Sequence, residues 1–258
     1  MATLALDSAD VFDDPFPHLV LDNALSADVF EATLRALPAQ DGFAVKGRGL
    51  KLELDIVESS AALIALPTEA QNTLLELRQR VRASASALAS TFEVTLREKY
   101  RWLLGDAIAD EMLATGWTTT NGRVMGRAPG YQLGPHLDSS HVGITCLLYF
   151  SEARTAAEGA LGLFRPDREP AVLDASTYYP EKAEGIGSTL VKSIAVKPNR
   201  FVAFADTPVS LHGFHRTSDA SGWRFAYQCH VLPAGLRIDD VIPLLDDDRR
   251  HRWRRYQA

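Results

Sequence analysis

The chain has 258 residues, 46% of them apolar and 23% charged, with a net charge of −6. A chain of this length buries a substantial core, since folding removes roughly 70% or more of its unfolded surface from water. The acidic balance, with a pI near 5.6, excludes a phosphate backbone as the main partner, because nucleic-acid binding needs a clustered positive field.

The first seventeen residues carry Asp7, Asp10, Asp13 and Asp14 and no Lys or Arg. They lack the basic start and apolar stretch of a secretory leader, so a cytoplasmic location is expected. Ser26 can cap a helix through Val29, Phe30, Leu34 and Leu37 that Pro38 ends. Gly42, Gly47 and Gly49 mark a loop, and the alternation from Leu50 to Leu54 a short strand. From Thr68 to about Leu113, Leu74, Leu77, Val81, Leu88, Phe92, Leu96 and Leu103 recur at helical spacing. They predict two or three helices acting as a packing layer.

Near Trp117 the pattern changes. Strand-like runs occupy 121–128, 131–137, 142–150, 160–165, 189–196, 200–205 and 223–232. Strands at this spacing predict an antiparallel sandwich or barrel. Cys146 and Cys229 lie in two of these runs, without zinc-site or disulfide-framework spacing. They read as buried free thiols in a reducing compartment. The stretch 166–188 has no period and reads as a lid or binding loop. At the end, three aspartates (246–248) precede a basic run (249–255), which a solvated helix explains without nucleic acid. No run of about 18 apolar residues reads as a membrane span. One domain is expected: 1–117 mainly helical support, 118–235 a β core, 236–258 a C-terminal helix. The oligomeric state stays open, a homodimer included.

His136 and Asp138 are two residues apart in a strand-like run, so both side chains project to one face. An imidazole and a carboxylate together with a distant second imidazole make a three-donor metal face. That face suits Fe(II) and keeps positions open for a chelating cosubstrate and O₂. The second imidazole is His212 or His215, in Ser210-Leu211-His212-Gly213-Phe214-His215, after an apolar strand and before Trp223-Arg224-Phe225-Ala226-Tyr227. His141 reads as a loop histidine.

The ordered set Pro129-Gly130-Tyr131, His136-Leu137-Asp138, Tyr149-Phe150, Gly159-Ala160-Leu161-Gly162-Leu163-Phe164, Pro198-Asn199-Arg200-Phe201-Val202-Ala203-Phe204, Ser210-Leu211-His212-Gly213 and Arg224 resembles the 2-oxoglutarate/Fe(II)-dependent oxygenases, in particular their prolyl-hydroxylase-like branch. The opening Pro15-Phe16-Pro17-His18-Leu19-Val20-Leu21-Asp22 is similar too, so the resemblance covers residues 15 to about 232. It implies an α+β, mainly β fold: a double-stranded β-helix (jelly roll, cupin-like) with N-terminal helices packed on one sheet. It implies iron on His136, Asp138 and His212, the last chosen because Ser-x-His-Gly fits the family pattern and glycine lets the backbone approach the metal. It implies 2-oxoglutarate held by Arg224, whose fork matches a carboxylate, with Tyr149 a second donor. Ala128 stands where this branch often has Tyr, and Arg127 and Tyr131 are candidates to compensate at the cosubstrate. The implied reaction is O₂-dependent hydroxylation of a small molecule, an amino acid or secondary-metabolite intermediate, with 2-oxoglutarate converted to succinate and CO₂. Asp138, absent from halogenating members, implies hydroxylation, or desaturation or cyclisation. A peptidyl substrate, a metal-dependent cupin-type hydrolase or isomerase without 2-oxoglutarate, and a non-catalytic binding module remain the alternatives. Residues 166–188 and 46–51 are the expected substrate cover.

Overall fold

A computed structural model describes residues 3–47, 49–151, 159–170, 177–214 and 222–253. Its strands are β1 (Asp10–Phe12), β2 (His18–Leu21), β3 (Ala44–Lys46), β4 (Lys51–Asp55), β5 (Trp117–Thr119), β6 (Arg123–Arg127), β7 (Leu133–His136) and β8 (Ile144–Tyr149). They continue with β9 (Leu161–Pro166), β10 (Ser188–Ile194), β11 (Phe201–Ala205), β12 (Leu211–Phe214) and β13 (Arg224–Pro233). Nine of them form a larger sheet in the order β1-β2-β11-β8-β13-β6-β4-β3, with β5 beside β13. The other four form a second sheet, β10-β9-β12-β7. All pairings are antiparallel.

The helices are α1 (Ala27–Ala36), α2 (Ala61–Ile64), α3 (Thr68–Ala83), α4 (Ala85–Thr91), α5 (Glu93–Leu104), α6 (Asp106–Ala114), α7 (Pro180–Glu184), α8 (Ile238–Val241) and α9 (Asp247–Trp253). Helix α1 stops at Ala36 because Pro38 forces Leu37 into an extended conformation. Ser26 stands at its N-cap without a side-chain cap bond. The long periodic stretch breaks into four helices, α3 to α6, rather than two or three. Helices dominate the first 117 residues, yet those residues also supply four strands of the larger sheet, with β2 against β11 and β4 against β6. Only β4 was legible there. Strand β12, which carries His212, is a further addition to the expected set. Within 166–188 the described parts include α7 and a two-bond bridge between Leu137 and Tyr178. Among the described residues the C-terminal stretch holds α8, a 3-10 turn (Ile242–Leu244) and α9. Among the described residues no helix is long and apolar enough to cross a membrane.

Strand alternation decides which side chain goes where. On β8, Ile144, Cys146 and Leu148 join the helices in one core. Leu147 and Tyr149 join a second core with Leu161 and Leu163 of the smaller sheet. On β11, Phe201, Ala203 and Ala205 face the helices, and Val202 and Phe204 face the other sheet. On β13, Tyr227, Cys229 and Val231 face the helices, so Arg224, Ala226, Gln228 and His230 face inward. The layers are therefore helices, larger sheet, smaller sheet, and β8 is buried on both sides along its length. Cys146 and Cys229, both free and buried, are cross-strand partners on the helix side.

Phe201 is fully buried on that helix side. Replacing it with Ala should lower the unfolding free energy by about 3–5 kcal/mol, because the cavity cannot collapse between a sheet and a helix layer. Urea denaturation measures this through a lower midpoint at unchanged slope. A loss below about 1 kcal/mol would mean the layer contact is not formed there.

Candidate metal centre

In the smaller sheet, His212 on β12 and His136 on β7 are directly paired. Cross-strand partners share one face of a sheet, and the two imidazole centroids are 4.3 Å apart. Strand β7 ends at His136, so Asp138 lies just past it, where the Leu137–Tyr178 bridge holds the chain extended. His136 Nε2 is 3.7 Å from Asp138 Oδ1, and His212 Nε2 is 3.5 Å from Asp138 Oδ2. The three donor atoms lie within 4.8 Å of one another. His215 and residues 171–176 are outside the described residues. His141 is not in this cluster; Tyr100 donates to its carbonyl at 3.0 Å.

Local backbone contacts orient both rings. His136 Nδ1 donates to the Gly134 carbonyl at 2.9 Å, and His212 Nδ1 donates to the Ser210 carbonyl at 3.1 Å. Each Nε2 therefore faces Asp138, the arrangement that metal-binding histidines require. Burial and the neighbouring His212 lower the His136 pKa to about 4. Burial works against the cation of His212 too, but the Asp138 charge and hydrogen bond outweigh it and raise its pKa. Burial also opposes the Asp138 anion, yet His212, His230 and His136 hold its carboxyl well below the usual range. Two oriented imidazoles and one carboxylate are the donor set of a divalent transition-metal site with positions left over, so these residues fit an Fe(II) ion. Gly213 has a different use from the one expected. A β-carbon there would press on the Leu133 carbonyl oxygen at 2.5 Å, so glycine lets β7 and β12 close at the irregularity beside His212.

Behind Asp138 stands a polar group that the sequence reading did not single out. The Thr145 hydroxyl donates to Asp138 Oδ2 at 2.6 Å and lies 2.9 Å from Asp206 Oδ2. One hydroxyl proton serves one of these contacts, so the second is complete when Asp206 is protonated and donates to Thr145. Burial and the nearby Asp138 charge push the Asp206 pKa up to about 7. His230 Nε2, 3.8 Å from Asp138 Oδ2, closes the group. The available signal was parity: Thr145 and His230 pair across β8 and β13 and share the inner face.

Arg224 is buried at 7% exposure, and its guanidinium donates to the Gly159 carbonyl at 2.5 Å. Gly159, at φ +61°, has no room for a side chain, because a β-carbon would overlap that guanidinium. Tyr149 is 3% exposed, and its hydroxyl has no hydrogen-bond partner among the described residues. Burial pushes this hydroxyl's pKa up while the Arg224 charge opposes the shift. A buried hydroxyl without a partner, close enough to feel a buried guanidinium, is a fitting receptor for a carboxylate. Arg127, the cross-strand partner of Arg224, and Tyr131 line a cavity of about 130 Å³ that also touches His136, Asp138 and His212. A wider cleft of about 430 Å³ shares Arg123 and Gln228 with it and reaches His230. Of the expected cover, Lys51, Thr177 and Tyr179 line the smaller cavity.

No family model and no curated protein matches the chain. Solved structures do. HygX from Streptomyces hygroscopicus, with nickel, 2-oxoglutarate and hygromycin B bound, matches at 12% identity and TM-score 0.51, covering 85% of this chain and 84% of that one. The epimerase SnoN, in complex with Fe³⁺, alpha-ketoglutarate and nogalamycin RO, matches at 13% identity and TM-score 0.51, covering 84% and 79%. A prolyl hydroxylase from Trichoplax adhaerens matches at 15% identity and TM-score 0.47, covering 84% and 83%. The fold is the one shared by HygX and SnoN.

The Asp206 pKa, about 7 against an ordinary 3.8, makes stability pH-dependent. The folded state keeps a proton that the unfolded chain releases, so this contribution is full below the ordinary value and is lost as pH rises through about 7. Asp206→Asn removes the titration, and the fall in Tm between about pH 4.5 and 7 should flatten. Equal slopes for both proteins in thermal melts would contradict the assignment.

Proposed function

We propose that this protein is an Fe(II)- and 2-oxoglutarate-dependent oxygenase that acts on a small molecule through the double-stranded β-helix formed by its two sheets. The observation that carries the reading is the convergence of His136 Nε2, His212 Nε2 and the Asp138 carboxylate within 4.8 Å, with both ring tautomers set by backbone carbonyls. The metal and 2-oxoglutarate in the HygX and SnoN complexes support the cofactor assignment, and their bound small molecules support the substrate class.

In this reading His136, Asp138 and His212 hold the iron. The iron and 2-oxoglutarate, when bound, supply O₂-dependent oxidation of a substrate C–H bond coupled to formation of succinate and CO₂. The protein's share is placement. Thr145 donates to Asp138 Oδ2 and so turns the other carboxylate oxygen toward the His136 side. Arg224 and Tyr149 receive the distal carboxylate of 2-oxoglutarate, with a charged fork from one and a neutral donor from the other. Gly159 keeps room for the guanidinium. Leu147, Leu161, Leu163, Val202 and Phe204 pack the wall between the sheets and exclude water, which strengthens every charge interaction inside. The proton on a buried Tyr149 stays in place at neutral pH because burial disfavours its anion.

Anaerobic loading with Fe(II) and 2-oxoglutarate, followed by O₂, should yield succinate in the wild type. Asp138→Ala should bring succinate to the level of free Fe(II). Full succinate formation by that variant, coupled to substrate oxidation, would remove Asp138 from the ligand set. Arg224→Lys keeps the charge but loses the fork, and should weaken 2-oxoglutarate binding about tenfold with metal affinity unchanged. Calorimetry of the Ni(II)-loaded protein reads both, and an unchanged 2-oxoglutarate affinity would place the carboxylate elsewhere.

A further inference from the structure

Register brings three cations into one row on the inner face of the larger sheet. Lys51 on β4 pairs with Arg127 on β6, and Arg127 pairs with Arg224 on β13. Like charges directly opposite one another destabilise a sheet, so such a row calls for anions. Arg224 has the Gly159 carbonyl and, in the oxygenase reading, the distal carboxylate of 2-oxoglutarate. In the next row Glu53 is already engaged by Lys46 at 2.8 Å and Arg123 at 3.6 Å. Arg123 is further held by the Gln228 side chain at 3.0 Å.

Lys51 and Arg127 have no comparable arrangement. Neither forms an ion pair with any described residue. Both sit by the Tyr131 ring, Lys51 Nζ at 5.6 Å and the Arg127 guanidinium carbon at 5.2 Å from its centroid. One Arg127 amino group donates to the Gly126 carbonyl at 3.0 Å. The other donates to the Met125 sulfur at 2.9 Å, a weak acceptor. Arg127 Nε is buried and has no hydrogen bond. Burial lowers the Arg127 pKa, although the Glu53 charge and the neighbouring Tyr131 hydroxyl act in the other direction. The Nε edge of a guanidinium can take an oxyanion in two parallel bonds. Lys51, Arg127 and Tyr131 line the same cavity as His136, Asp138 and His212.

We propose that Lys51, Arg127 and Tyr131 form an oxyanion subsite for the substrate, so that the molecule oxidised here carries a carboxylate, phosphate or sulfate group. The proposal rests on the oxygenase reading for the word substrate, but the anion site itself stands on the geometry of β4, β6 and Tyr131. It assigns Arg127 and Tyr131 to the substrate rather than to the cosubstrate, and it divides the cationic row between two anions: Arg224 for 2-oxoglutarate, Arg127 and Lys51 for the substrate.

Inorganic sulfate, titrated calorimetrically into protein loaded with Ni(II) and 2-oxoglutarate, is the probe. One saturable sulfate site is expected. Arg127→Gln and Lys51→Met should each weaken it by about tenfold or more, and Arg127→Lys by less, since charge survives without the fork. The 2-oxoglutarate affinity of Arg127→Gln should stay within about twofold of wild type. Sulfate binding that neither substitution changes overturns the proposal. So does a tenfold loss of 2-oxoglutarate affinity in Arg127→Gln, because the guanidinium would then serve the cosubstrate. Should Arg127→Gln not fold, Lys51→Met decides alone. Wild-type protein that binds neither Ni(II) nor 2-oxoglutarate sinks the oxygenase reading instead, and sulfate titration of the unloaded protein and the same variants still settles the anion site.

Discussion

Strand alternation between two covered faces is the constraint from which the site follows. The larger sheet has helices on one side and the smaller sheet on the other, so every residue of β8, β11 and β13 is committed to one of two interiors. The helix side takes the apolar set. The inner side must then accept Thr145, Gln228, His230 and Arg224 alongside Leu147 and Ala226. A shift of one residue in register would exchange these sets and bury the polar row under the helices. The register is therefore held by the largest packing term available, which is apolar burial.

The same constraint gathers the charges. Polar groups removed from water persist only when they are paired, and most of the inner groups are. Asp138 has two imidazoles and the Thr145 hydroxyl. Glu53 has Lys46 and Arg123. Other atoms are buried without a hydrogen bond among the described residues, the Tyr149 hydroxyl, Arg127 Nε and His230 Nε2 among them. In the proposed reading incoming oxyanions complete the first two, while His230 Nε2 lies beside the Asp138 carboxylate. A cavity built in this way gives up some stability in exchange for recognition, as functional sites commonly do.

Glycine acts at the two points where the backbone must come close. At Gly213 the strands β7 and β12 meet too tightly for a β-carbon, and at Gly159 the Arg224 guanidinium occupies the space that a side chain would need. Each glycine thus sets the position of a neighbouring functional group, His212 in one case and Arg224 in the other. Neither carries any chemistry itself.

By itself the sequence determined the local and ordered features: the β character after Trp117, the shared face of His136 and Asp138, a later imidazole at His212 or His215 between which the family resemblance chose, and an arginine inside an apolar strand at 224. These were legible because period-two alternation and short motifs need only neighbouring residues to be read. The tertiary structure alone decided that His212 lies directly across from His136, that Thr145, Asp206 and His230 stand behind Asp138, and that Lys51, Arg127 and Arg224 form one row. It also drew strands from the first 55 residues into the larger sheet. Each of these facts is a register between segments far apart in the chain. Register is set by which whole faces can be buried together, and no local stretch of residues records that outcome.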